Sequence, residues 1–79
     1  MDNTTKTADR GDATRQALIE AALAEFSRNG YHAASNREIA LLAQANQALI
    51  SYHFGGKEGL YLAVFDFICE QIQGYIGDA

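Results

Sequence analysis

Apolar residues recur at spacings of three and four along most of this chain, which is the period of amphipathic helices. The first such helix is predicted over residues 14–28. Asn29–Gly30 predicts its end, because glycine readily adopts the left-handed backbone that closes a helix. The apolar side of this helix consists of Leu18, Ile19, Ala22, Leu23 and Phe26.

A second helix is predicted over residues 36–43, because Ser35 followed three residues later by Glu38 forms a capping box. In that motif the hydroxyl accepts a hydrogen bond from a first-turn N–H, and the glutamate reaches back. A third helix is predicted to start at Asn46, a favoured N-cap residue, after the connector Gln44–Ala45. The apolar stripe of the second helix consists of Ile39, Ala40, Leu42 and Ala43.

The segment 35–54 therefore has the outline of a helix-turn-helix. In that motif one helix supports the other, and the N-terminal side chains of the supported helix enter the major groove of DNA. The inward side of the third helix is predicted to hold Phe54 and either Leu49 or Ile50. Its outer face is predicted to consist of Gln47, Ala48, Ser51 and Tyr52.

A fourth helix is predicted from Lys57 to about Tyr75, after a break at Gly55–Gly56. It carries two apolar stripes, and the small bundle formed by the first three helices can cover only one of them. The second stripe predicts a partner, either the remainder of a longer polypeptide or another copy of the chain. The stripe expected to pack on the bundle is Leu60, Val64, Phe67 and Ile68. The stripe expected to meet the partner is Leu62, Phe65, Cys69, Ile72 and Ile76.

Charge changes the expectation about DNA affinity. The 79 residues have a net charge of −4 and a pI near 4.9, the wrong sign for gaining affinity by neutralising phosphates. From Tyr61 onward there is no lysine or arginine, whereas segment 35–57 carries Arg37 and Lys57 against Glu38 alone. Weak non-specific binding is therefore predicted.

Composition also sets the expected class and compartment. The absence of proline, the 48% apolar content and the lack of any period-two alternation predict one small all-α domain. A single cysteine, no signal peptide and no long apolar run predict a cytoplasmic protein. Residues 1–12 are polar and are predicted to form a disordered arm.

No enzymatic or metal chemistry is predicted. His32, His53 and Cys69 lack the close paired spacing of a zinc site, and Cys69 lies in an apolar stripe that disfavours a thiolate. We therefore expect no metal, no cofactor and no catalytic residue. On residues alone, His53 is more often a helix-end histidine packed on a neighbour than a phosphate contact.

Several markers in one order give the chain a family resemblance. They are the A-A…F…G-Y run of the first helix, S-x-R-E-I-A at Ser35–Ala40, Y-H-F at Tyr52–Phe54 and K-E-x-L at Lys57–Leu60. Together they resemble the N-terminal DNA-binding domain of the tetracycline-repressor (TetR) family of transcriptional regulators. The match covers roughly residues 14–68.

The resemblance implies a three-helix, homeodomain-like bundle with a helix-turn-helix, joined to a fourth connecting helix. In this layout residues 1–12 are the arm, 13–58 the DNA-binding domain and 59–79 the start of the connecting helix. That helix leads to a C-terminal ligand-binding and dimerisation domain absent from these residues. Members are typically homodimers that bind palindromic operators and release them when a small effector occupies the second domain.

Site residues follow from the resemblance position by position. The start of the recognition helix, which reads bases, matches Gln47, Ala48 and Leu49. The positions that meet the phosphate backbone match Ser35, Arg37, Tyr52, His53 and Lys57. Leu49 and Ser51 stand where many members carry threonine and tyrosine, so the operator sequence is left open. Gly56 replaces the usual serine cap, at an expected cost of only about a few tenths of a kcal/mol.

The residue types at the start of the third helix also suit base reading independently of the family resemblance. Gln47 can bond an adenine edge in bidentate fashion, and Ala48 or Leu49 can touch a thymine methyl group. The alternative function is a helical protein–protein interaction module that uses the apolar fourth helix, since helix-turn-helix folds serve other roles as well.

Overall fold

The structure is a computed structural model that describes the backbone of residues 3–77 and the side chains of residues 11–75. This part of the chain forms four α-helices and no strand, which confirms the all-α prediction. The helices are α1 (Asn3–Asn29), α2 (Asn36–Ala43), α3 (Ala48–Phe54) and α4 (Lys57–Gly77).

One hydrophobic core joins the four helices. Helix α1 packs against both α2 and α4, and α3 packs against α4. The predicted stripe of α1 and the first predicted stripe of α4 both face this core, which confirms their assignment. The most deeply buried apolar residues are Leu18, Ile19, Ala22, Ala34, Ile39, Ala40, Ile50, Leu60 and Val64.

Helix α1 starts earlier than predicted. The structure is helical from Asn3, whereas residues 1–12 were expected to form a disordered arm. Once the packed part of α1 exists, each further residue adds one backbone hydrogen bond without a new nucleation cost. No proline interrupts residues 3–13, and Gly11 weakens a helix without ending it. Met1 and Asp2 lie outside the described residues.

The loop between α1 and α2 begins at Gly30, which has the predicted left-handed backbone with φ of 85°. Ala34 is buried and donates its N–H to the Gly30 carbonyl, whereas Ala33 is exposed. Tyr31 packs against α1 and α4 through Phe26 and Tyr61.

Local capping defines the helix-turn-helix. The Ser35 hydroxyl accepts a hydrogen bond from the Glu38 N–H at 3.0 Å, and α2 covers the predicted range. Gln44 ends α2 in a left-handed conformation with φ of 57°. Asn46 was predicted to start α3, but the regular helix begins two residues later, after Gln47, whose side chain makes no capping bond. Asn46 Oδ1 nevertheless accepts a hydrogen bond from the first N–H of the helix, that of Ala48, at 2.8 Å.

Leu42 was expected in the buried stripe of α2, yet 49% of it is exposed. Successive helical residues are about 100° apart, so the buried side is centred between Ile39, Ala40 and Ala43. Leu42 then lies about 110° from that centre, at the edge of the contact with α1. Spacings of three and four therefore assigned one residue too many to the stripe.

Glycines allow α3 and α4 to join closely. Gly55 and Gly56 have φ of 80° and 140°, which only glycine adopts without strain. The sequence predicted that glycine in place of the usual serine at position 56 would cost a little stability. This prediction is wrong, because the backbone of any residue with a side chain would be strained at this φ. Gly59 lies so close to the end of α3 that a Cβ atom would overlap the Phe54 carbonyl oxygen.

Candidate nucleic-acid interface

Helix α3 exposes the outer face that its sequence predicts. Gln47, Ala48 and Ser51 are exposed, and Tyr52 is 78% exposed. A tyrosine this accessible contributes little to the core, so its amphipathic ring is available for a contact outside the chain. The four predicted outer residues therefore form one accessible surface.

The sequence left open whether Leu49 or Ile50 lies on the inner side of α3, and the structure places Ile50 there. Ile50 is fully buried in the core. Leu49 is half-buried and packs against the same core. Part of Leu49 thus remains accessible beside Ala48, and only that part is available to a thymine methyl group.

The start of α2 presents two of the predicted phosphate contacts. Ser35 uses a lone pair of its hydroxyl to cap the helix, which leaves the hydroxyl hydrogen free to donate. Arg37 is exposed, and no carboxylate of the described chain pairs with it. Unpaired N–H groups in the first turn of α2 add partial positive charge to this end of the helix.

The pair Tyr52–His53 lies at the end of α3. Their rings meet edge to face with centroids 4.9 Å apart, and the half-buried His53 ring is 5.9 Å from that of Phe54. His53 therefore packs on its neighbours as the residue-based interpretation expected, while retaining accessible surface. Both interpretations of His53 are compatible with this placement.

Lys57, the first residue of α4, is held against the loop between α1 and α2. Its ammonium lies 3.4 Å from the His32 carbonyl oxygen and 4.6 Å from the centre of the Tyr31 ring. Sequence reasoning missed this contact, because a separation of 25 residues carries no periodic signal. The fold thus brings the predicted phosphate contact of α4 beside the loop that leads to α2.

A second cation next to the helix-turn-helix was also missed. The guanidinium of Arg15 in α1 lies 5.1 Å from the centre of the Phe54 ring, at the end of α3. Arg28, by contrast, is tied to the buried carboxylate of Glu25 at 3.9 Å, and Asn29 donates to that carboxylate at 2.7 Å. Arg28 therefore forms an ion pair within the last turns of α1 and is not assigned to the DNA-facing surface.

Helix α4 exposes most of its second apolar stripe. Leu62, Phe65 and Ile72 are each at least half exposed, and Cys69 is exposed as a free thiol. The side chain of Ile76 lies outside the described residues. Tyr75 is also exposed, although it was not predicted to belong to this stripe. The described residues hold no group of metal-binding side chains, and none of their helices is long and apolar enough to cross a membrane.

Comparison with known proteins identifies the family. The model of the bacterial regulatory proteins of the tetR family matches residues 18–64. The chain is 45% identical over 74 residues to the HTH-type transcriptional dual regulator CecR of Shigella flexneri, covering 89% of this chain and 33% of the relative.

Two further relatives show the same pattern. The HTH-type transcriptional repressor NicS of Pseudomonas putida is 36% identical over 61 residues, covering 77% of this chain and 29% of its own length. The HTH-type transcriptional regulator RutR of Escherichia coli is 40% identical over 52 residues, which cover 66% of this chain and 24% of the relative. No solved structure gave a significant match.

The chain spans about a third of the length of the curated relatives it matches. Its family match includes all of α2 and α3, the loop between them and the first turns of α4. The chain therefore belongs to the tetR family of bacterial regulatory proteins, in which it is a DNA-binding helix-turn-helix domain rather than an enzyme.

Proposed function

We propose that this chain reads a palindromic operator for a ligand-responsive transcriptional repressor, with α3 in the major groove. The observation that carries the proposal is the accessible face of α3, which is preceded along the chain by Arg37 and followed by Lys57, two cations that pair with no carboxylate of the described residues. Arg37 is one residue into α2, and Lys57 is the first residue of α4. The printed names of the relatives, a repressor and a dual regulator among them, support a role in transcription.

Base reading is assigned to the start of α3. Gln47 is exposed and can donate and accept at an adenine edge, while Ala48 and the accessible part of Leu49 suit a thymine methyl group. Ser51 is exposed one turn further along the same face and can bond either a base or a phosphate. With one long polar reader, the shape of the operator adds to its recognition.

Phosphate contacts are assigned to residues around this face, and they position the duplex without encoding sequence. Arg37 and Lys57 provide charge, whereas Ser35, Tyr52 and His53 provide neutral donors. Because only two of these five residues carry a formal charge, electrostatic affinity is modest and the salt dependence shallow.

Substitution of two contacts tests the proposal. In the full-length protein, Tyr52→Ala combined with Lys57→Ala should abolish the gel shift of a palindromic fragment from the promoter of its own gene. Leu41→Ala combined with Arg28→Gln is the matched control, because it removes one exposed apolar side chain and one cation elsewhere. Circular dichroism should show that both variants remain helical. An unchanged shift for Tyr52→Ala/Lys57→Ala would refute the proposed contacts.

Dimerisation and regulation are proposed for the remainder of the protein. The partner-facing stripe of α4, Leu62, Phe65, Cys69, Ile72 and Ile76, is assigned to packing against a C-terminal ligand-binding and dimerisation domain. Two recognition helices must lie about 34–36 Å apart to enter successive major grooves on one side of DNA. An effector that changes the tilt of α4 would alter this distance and shift the population toward a non-binding dimer.

The exposed stripe of α4 also favours a second candidate, a protein–protein interaction module. A net charge of −4 fits that candidate better than it fits DNA binding. The two functions differ in the residues they need. Loss of DNA binding in Tyr52→Ala/Lys57→Ala, with the oligomeric state unchanged in sedimentation, would exclude the interaction module as the sole function.

A further inference from the structure

The ammonium group of Lys57 is fixed by the loop between α1 and α2. It donates to the His32 carbonyl oxygen at 3.4 Å and lies 4.6 Å from the centre of the Tyr31 ring. Lys57 is half-buried, and no carboxylate of the described chain pairs with it. A lysine usually moves freely on its four-carbon stem, so this degree of restraint at an uncompensated charge is unusual.

Restraint of this kind favours binding of an anion. An ammonium has three donors, and the carbonyl of His32 occupies one of them, so two remain for a phosphate. The attraction between the cation and the aromatic face keeps the stem in one conformation before DNA arrives. Less side-chain entropy is then lost when the phosphate binds.

The Tyr31 ring is itself held by two helices. It meets Tyr61 of α4 edge to face at 4.7 Å and Phe26 of α1 at 5.6 Å. Tyr61 in turn meets Phe65 edge to face at 5.0 Å, and Phe65 belongs to the exposed stripe of α4. The place of the Tyr31 ring therefore depends on how α1 and α4 cross.

We infer that Tyr31 is a positioning residue for DNA binding, which holds the Lys57 ammonium where it meets a backbone phosphate. Tyr31 acts through Lys57 and has no contact with DNA of its own. The inference rests on the proposed function, since it requires that Lys57 contacts the backbone. It adds a route by which a change in the crossing of α1 and α4 reaches a phosphate contact.

A double-mutant cycle tests this role. The full-length protein, Tyr31→Leu, Lys57→Gln and the double variant are compared for affinity to a fluorescent duplex that the wild-type protein has selected from random DNA. Tyr31→Leu alone should weaken binding by about two- to ten-fold, because the freed Lys57 side chain must then be ordered when the phosphate binds. In the Lys57→Gln background it should have no further effect. Tyr31→Phe should bind like wild type, because the ring is retained.

Tyr75→Leu is the matched control. It removes an exposed tyrosine ring of α4 that contacts neither Tyr31 nor Lys57, so its effect should be the same in the wild-type and Lys57→Gln backgrounds. Equal weakening by Tyr31→Leu in both backgrounds would overturn the inference, as would no weakening in either. If Lys57→Gln itself leaves affinity unchanged, the phosphate contact of the proposed function fails, and the inference fails with it.

A spectroscopic measurement is independent of whether Tyr31→Leu folds. In the free wild-type protein, the ε-methylene protons of Lys57 should be shifted upfield in NMR spectra by the Tyr31 ring. The shift should persist in Tyr31→Phe. Its absence in the wild-type protein would show that the ammonium is not held over the ring and would overturn the inference.

Discussion

At the scale of single residues, the junction of α3 and α4 depends on glycine. Gly59 has no room for a Cβ atom, because the Phe54 carbonyl oxygen occupies that space. Gly74, in the same helix, has nothing within 4 Å of the corresponding position. A side chain is therefore excluded at Gly59 and tolerated at Gly74. The sequence motif K-E-G-L around Gly59 did not reveal this difference.

Replacement of each glycine by alanine should change stability in opposite directions. Gly59→Ala should lower the free energy of unfolding by about 1–3 kcal/mol, because α4 must shift away from α3. Gly74→Ala should raise it by about 0.5–1 kcal/mol, since alanine favours the helix. Urea unfolding of both variants gives the comparison. Equal effects at the two sites would contradict the close approach.

Some residues of the proposed DNA interface could be predicted from the sequence, and some of their contacts could not. The outer face of α3 was predictable, because helical periodicity alone separates Tyr52 from Ile50. The contact of Lys57 with Tyr31 was not predictable, because it joins residues that only the packed fold brings together. The same holds for Arg15 over Phe54.

At the scale of elements, short-range capping explains why α2 was predicted over its full length. Ser35 starts the helix by accepting the Glu38 N–H, and the chain turns at Gln44. Both signals lie within one turn of the helix ends. The start of α1 was missed because no comparable signal precedes Asn3, and continuation of a formed helix needs none.

Removal of the cap should destabilise the domain measurably. Ser35→Ala should cost about 1 kcal/mol, because the first-turn N–H of Glu38 loses its acceptor. Ser51→Ala is the matched control, since this exposed serine lies within α3, where alanine is the better helix former. Thermal unfolding should show a lower midpoint for Ser35→Ala only. A lower midpoint for both would argue against a specific cap.

At the scale of the whole molecule, the net negative charge of the chain lies mostly outside the helix-turn-helix. Three of the four excess negative charges lie in residues 61–79, whereas Arg37 and Lys57 flank α3 along the sequence. These negative charges therefore lie outside the segment proposed to meet DNA.

Salt dependence should report this local charge. In plots of log affinity against log salt concentration, Lys57→Gln should reduce the slope by about 1 for each half-site that loses a phosphate contact. Arg28→Gln should leave the slope unchanged, because that arginine is paired with Glu25. Identical slopes for wild type and Lys57→Gln would remove Lys57 from the set of phosphate contacts.

Sequence reading by α3 is tested most directly by the ratio of affinities for a selected duplex and a shuffled duplex of the same composition. The wild-type protein should prefer a palindromic selected duplex. Gln47→Ala should lower that preference by about 1–3 kcal/mol per half-site while leaving affinity for the shuffled duplex unchanged. No preference in the wild-type protein, or equal weakening on both duplexes by Gln47→Ala, would contradict base reading by α3.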